Sequence, residues 1–116
     1  MLQKTEFIWF DGKLVPWDQA QVHVLAHGLH YGTGVFEGIR AYACPDGSSA
    51  VFRLPEHSKR LVNSAKILGI DMPYTADEIS KAIVETVVAN KLSEGSIRPL
   101  ALSLLHISEP TSHLRI

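Results

Sequence analysis

The sequence predicts an α+β fold, a mainly antiparallel sheet covered by two helices. Three observations predict it: an Asp-Gly dipeptide between apolar runs near the N-terminus, two consecutive segments of helical periodicity in the middle, and strand-like runs on both sides of that pair. Strands, helix, helix, strand is the order of a layered α+β domain; a doubly wound sheet would alternate strands with helices.

Each element follows from its residues. Phe7 to Phe10 and Lys13 to Val15 flank Asp11-Gly12, a dipeptide that tolerates the turn of a tight β-hairpin. Beyond Pro16, Val22 to Leu25 is apolar enough for a short strand, and Ala26 to Gly34, rich in Gly and His, reads as a loop. Val35 to Ala43 is β-branched, aromatic or alternating, and the turn residues Pro45 to Ser49 lead into a second run, Ala50 to Leu54, so the two are expected to pair antiparallel. Pro55 suits a first helical turn because its missing N–H has no partner there anyway. Leu61, Ala65 and Leu68 recur at helical spacing and Gly69 can supply a left-handed cap, which predicts a helix over about 55–68. Thr75 with Glu78 forms a capping box, and Ile79, Ala82, Ile83 and Val87 make the apolar stripe of a second helix reaching about Lys91. Ser96 to Leu105 returns to a strand-like run.

A chain of 116 residues, 46% of them hydrophobic, is enough for one core and one domain. Eleven Lys plus Arg against twelve Asp plus Glu, with no block of one sign, leave a formal charge of −1 and exclude the electrostatic footprint of a nucleic-acid or membrane-surface binder. The single cysteine, Cys44, closes no disulfide and offers no thiolate pair for zinc, which fits a reducing compartment. Glu6 interrupts the apolar run a secretory leader needs, and no stretch approaches the roughly 20 apolar residues of a membrane span, so a cytoplasmic location is expected.

Two motifs stand out. His23, His27 and His30 follow an i, i+4, i+7 spacing that on a helix would present three imidazoles on one face. Gly28 interrupts the segment, Gly32 and Gly34 follow, and no carboxylate stands at a coordinating offset. Hydrogen bonds to backbone carbonyls are therefore expected and a metal is not. The stretch YGTGVFEGIR, Tyr31 to Arg40, sets three glycines around small, β-branched and aromatic residues, which lets backbone approach something planar or anionic. The Walker and dinucleotide motifs need other glycine spacings and a helix directly after them, and both are excluded here. Composition alone leaves a tightly turned strand as the competing account.

The constellation FIWFDGKLVPW, VHVLAHGLHYGTGVFEGIRAY, VFRLPEHSKRL and SIRPL, in that order between about Phe7 and Leu100, closely resembles the N-terminal domain of branched-chain amino acid aminotransferases, members of the class IV (fold type IV) pyridoxal-phosphate enzymes. The resemblance implies pyridoxal 5′-phosphate as cofactor and a role for each matched residue. Arg60, in EHSKRL, matches the arginine that binds the cofactor phosphate, a task suited to a guanidinium. Phe36 matches a wall of the substrate side-chain pocket, Gly38 a position that keeps the pocket open, and Tyr31 a residue reaching the neighbouring subunit's site in a homo-oligomer. Arg98, in SIRPL, matches the arginine that accepts the glutamate side-chain carboxylate. Without the resemblance, Arg60 reads as an exposed helix arginine, Phe36 and Tyr31 as strand core, and Arg98 as a salt-bridged strand end. The implied reaction is ping-pong transamination from leucine, isoleucine or valine to 2-oxoglutarate, with small molecules as partners.

Two features depart from the family. Ser96 stands where relatives commonly carry Tyr, keeping a hydroxyl but losing reach. The resemblance stops near Leu100, before the second domain that carries the Schiff-base lysine. Lys59, Lys66, Lys81 and Lys91 lie outside that lysine's motif and receive no catalytic role. The expected division is an N-terminal domain over 1–101 and a non-homologous tail over 102–116, resembling adapter read-through, in which His106 and His113 are no ligands. The chain alone is expected to be inactive. Competing activities on the same fold are a D-amino acid aminotransferase and an aminodeoxychorismate lyase, and the competing class is a non-catalytic binding module.

Overall fold

A computed structural model describes residues 4–104 and the two-residue strand Leu114–Arg115. At the N-terminus, Asp11 (φ 52°) and Gly12 (φ 101°) close the expected hairpin, joining β1 (Phe7–Phe10) to β2 (Lys13–Pro16) with Phe10 opposite Lys13. Two consecutive positive φ values give a turn whose twist matches that of the strands it connects.

Val22 to Leu25 forms no strand, and the expected loop that follows contains a short helix, α1 (His27–Tyr31), ended by Gly32 at φ 68°. The reason lies in the histidines. His23 Nδ1 accepts the Leu25 amide at 3.0 Å and His30 Nε2 donates to the Val24 carbonyl at 2.8 Å, so side chains satisfy backbone groups that a neighbouring strand would otherwise serve.

The expected strand over 35–43 is two strands in different sheets. β3 (Gly34–Phe36) pairs with β7 (Leu100–Ser103), whereas β4 (Ile39–Ala43) pairs with β5 (Ser49–Val51) on one side and β6 (Gly95–Ile97) on the other. The expected run over 96–105 divides likewise, at Arg98-Pro99, where proline has no N–H for a ladder. The two gaps face each other, and the Glu37 amide donates to the Pro99 carbonyl at 3.1 Å. Among the described residues the expected antiparallel sheet is thus three small antiparallel sheets, β1-β2, β3-β7-β8 and β5-β4-β6, with β8 being Leu114–Arg115. Strand β7 continues past residue 101, Ser103 within it is buried, and His106 and His113 lie outside the described residues.

Helix α2 (Leu54–Ile67) carries Pro55 in its first turn and ends as expected: Gly69, at φ 76°, donates to the Lys66 carbonyl, and Ile70 donates to Ala65. Helix α3 (Ala76–Ala89) opens on the reciprocal Thr75–Glu78 bonds of the capping box. It ends with the same pair of bonds as α2, Lys91 to Val88 and Leu92 to Val87, but with a lysine at φ 54° in the glycine position. Asn90 turns back on β1: its amide accepts the Phe7 N–H at 2.8 Å and donates to the Phe7 carbonyl at 3.0 Å, pairing like a neighbouring peptide. Ile39 of β4, Leu61 of α2, and Ile79 and Ile83 of α3 form the core where both helices cover the sheet. Among the described residues no helix is long and apolar enough to cross a membrane.

Candidate functional site

One turn of α2 places His57 and Arg60, at i and i+3, on the same face. That face meets the gap between β3 and β4, where Glu37 is only 5% exposed. The Arg60 Nε–H lies 2.9 and 3.0 Å from the two carboxylate oxygens, and Nη2 donates to Oε1 at 2.8 Å. His57 Nδ1 lies 2.7 Å from the same Oε1; an ionised carboxylate only accepts, so the ring nitrogen is the donor. The hydrogen bond from Arg60 holds the Glu37 carboxyl below its ordinary pKa against the opposing effect of burial, and His57 adds to the lowering. The same contact raises the Arg60 guanidinium in turn. Arg60 remains 66% exposed at its side chain, and its Nη1 makes no bond to Glu37.

The residues on either side of Glu37 face differently. Phe36 is 55% exposed, and the Arg98 guanidinium lies over its ring, 4.5 Å from the centroid. Gly38 is exposed, and a Cβ there would meet nothing within 4 Å. Arg98 stands in the gap between β6 and β7, opposite the gap that holds Glu37. Among the residues singled out from the sequence, Phe36, Gly38, Arg60 and Arg98 therefore gather around one break in the strands. Tyr31 is fixed separately: it ends α1, is 61% exposed, and has ring contacts with His27 (4.7 Å) and His30 (6.5 Å). Neither Phe36 nor Tyr31 is strand core. Ser96 accepts a hydrogen bond from Arg40 Nη1 at 3.2 Å.

Sequence reasoning missed Glu37 and His57. A signal for the first was present: an acid between Phe36 and Gly38, inside an otherwise apolar run, needs a partner if that run is buried. Among the described residues no group of His, Cys, Asp and Glu is arranged to hold a metal ion. Two apolar grooves among the described residues lie elsewhere, beside α3: Leu54, Val84 and Val88 line both, with Ser80, Lys81 and Glu85 bordering one and Ser49 and Lys91 the other.

The arrangement presents the exposed Arg60 guanidinium on a buried carboxylate, and the exposed Arg98 guanidinium over the exposed ring of the neighbouring Phe36. It is suited to gripping anionic groups while an apolar substituent rests on the phenylalanine. The model of the amino-transferase class IV family matches residues 34–105. A branched-chain-amino-acid aminotransferase of Pseudomonas aeruginosa is 49% identical over 100 residues, covering 86% of this chain and 32% of that relative. The chain thus spans about a third of the length of the curated relatives it matches. Among solved structures, the branched-chain aminotransferase of Thermoproteus uzoniensis with norvaline is similar at a TM-score of 0.88 and 45% identity, covering 97% of this chain and 39% of that one. The branched-chain amino acid aminotransferase of Thermobaculum terrenum in its PLP form is similar at a TM-score of 0.83 and 30% identity, covering 96% and 38%.

Proposed function

The chain belongs to the class IV aminotransferases, and we propose that it is the N-terminal part of a cytoplasmic branched-chain amino acid aminotransferase that uses pyridoxal 5′-phosphate. The observation that carries this reading is the gathering of Arg60, Phe36 and Arg98 around Glu37. The residues fit the cofactor's phosphate: the Arg60 guanidinium is exposed, and its Nη1 is not taken by Glu37. When bound, pyridoxal phosphate supplies the electron sink for removal of an amino acid's α-proton.

This chain's own residues bind and select. Arg60 grips the phosphate and so fixes the depth of the site. Phe36 and the open position at Gly38 form an apolar side that accepts an aliphatic side chain. Valine is one methylene smaller than leucine and isoleucine, which differ only in where they branch, and a methylene is worth only about 1 to 3 kcal/mol, so one loosely fitting wall serves all three. Arg98, whose guanidinium lies over Phe36, offers its cation to the side-chain carboxylate of glutamate or 2-oxoglutarate, which lets one pocket admit an acid as well as an aliphatic chain. Tyr31, exposed at the end of α1 and held there by its ring contacts with His27 and His30, reaches the site of a neighbouring subunit in a homo-oligomer. In this reading the lysine that moves the proton belongs to a second domain, residues 1–101 form the working unit, the tail over 102–116 adds no function, and the chain alone is inactive.

A chimera tests the proposal. Residues 1–101 replace the matching segment of the Pseudomonas aeruginosa relative, and transamination of 2-oxoglutarate is assayed with leucine and with D-alanine. Activity on leucine, lost on Arg60→Ala, is expected. A folded chimera that ignores leucine, or prefers D-alanine, would overturn the reading.

A further inference from the structure

Resting on that reading, we propose that Glu37 is a positioning residue: it pre-sets the Arg60 guanidinium for the cofactor's phosphate. An arginine on the open face of a helix samples many rotamers and must lose that freedom when it binds an anion. Here the freedom is already removed. Glu37 takes Nε and Nη2 side-on, which leaves Nη1 as the edge outside the ion pair. The carboxylate is itself held by His57, whose Nδ1 donates to Oε1 at 2.7 Å, and the Glu37 backbone is fixed by its amide donating to the Pro99 carbonyl at 3.1 Å. Burial of Glu37 to 5% exposure keeps water from competing for the same oxygens.

A negative charge beside an anion site weakens the anion's attraction, so charge and geometry pull in opposite directions and can be separated. Glu37→Gln removes the charge. Glu37→Asp keeps the charge but draws the carboxylate back by one methylene, out of side-on reach of Arg60. Both lose the positioning.

The probe is pyridoxine 5′-phosphate, which carries the phosphate but no aldehyde to react with lysines. It is titrated against the purified 116-residue chain and the variants, with the Arg60 Nε–H resonance followed in 15N spectra. The native chain should bind and show a discrete, slowly exchanging Nε–H signal. Arg60→Ala should weaken binding by at least about tenfold. Glu37→Gln and Glu37→Asp should each weaken it by about fivefold or more, with loss of the discrete signal. Tighter binding by Glu37→Gln, unchanged binding by Glu37→Asp, or loss of thermal unfolding in both variants would make the acid a charge or a structural prop and overturn the positioning role. Failure of the native chain to bind the probe, or binding untouched by Arg60→Ala, would instead overturn the phosphate-anchoring reading on which it rests.

Discussion

Glu37 is the residue on which the site turns, and its ionisation should be visible in stability. Its carboxyl is held below the ordinary glutamate value, chiefly by the Arg60 hydrogen bond, so on acidification the unfolded chain takes up the proton before the folded one does. The stabilisation is therefore complete above the unfolded value of about 4.3, declines below it, and vanishes once the folded value is passed. Thermal unfolding of the native chain and of Glu37→Gln, followed from pH 7 to pH 3, should give a gap in Tm that is constant near neutrality and closes as the pH falls below about 4. A gap independent of pH would mean that the variant acts through packing alone. Arg60, Phe36 and Arg98 were singled out at this scale through their motifs, and the structure sets them about one break in the strands. Their contacts were not legible, because the alternation of a single strand over 35–43 says nothing of a break at Glu37-Gly38 that turns two neighbouring residues toward different partners.

At the scale of elements, local chemistry was read directly: Asp11-Gly12 made its turn, Thr75 and Glu78 their cap, and Gly69 its left-handed stop. Val22 to Leu25 misled because apolarity alone does not make a strand when nearby histidines take up the backbone groups. The two long helices also provide an internal control. Both end in the same bonded motif, yet α2 uses Gly69 (φ 76°) where α3 uses Lys91 (φ 54°). A side chain in the left-handed region costs on the order of 1 kcal/mol relative to glycine. Urea denaturation should accordingly find Lys91→Gly more stable by about 0.5 to 1 kcal/mol, and Gly69→Ala less stable by a similar amount. Equal and opposite shifts would show that the cap alone sets the difference.

Across the whole molecule, Leu61 joins the layers: it is fully buried and packs in one cluster with Ile39 of the sheet and Ile79 and Ile83 of α3. Truncation to alanine should cost about 2 to 5 kcal/mol. A domain of this size has only about 5 to 15 kcal/mol in total, so Leu61→Ala should unfold at far lower urea than the native chain. The layer order was legible in the sequence because it follows from periodicity. The partition into three sheets was not, because it is decided by pairings between distant segments, β3 with β7 and β4 with β6. The Asn90 clamp on Phe7 spans 83 positions. On a ribosome adding about 5 to 20 residues per second, the finished hairpin at the front waits roughly 4 to 15 s for that amide to be made. Until then the β1 edge is an open template for any passing strand, so nascent chains stalled before residue 90 are the ones most in need of a chaperone.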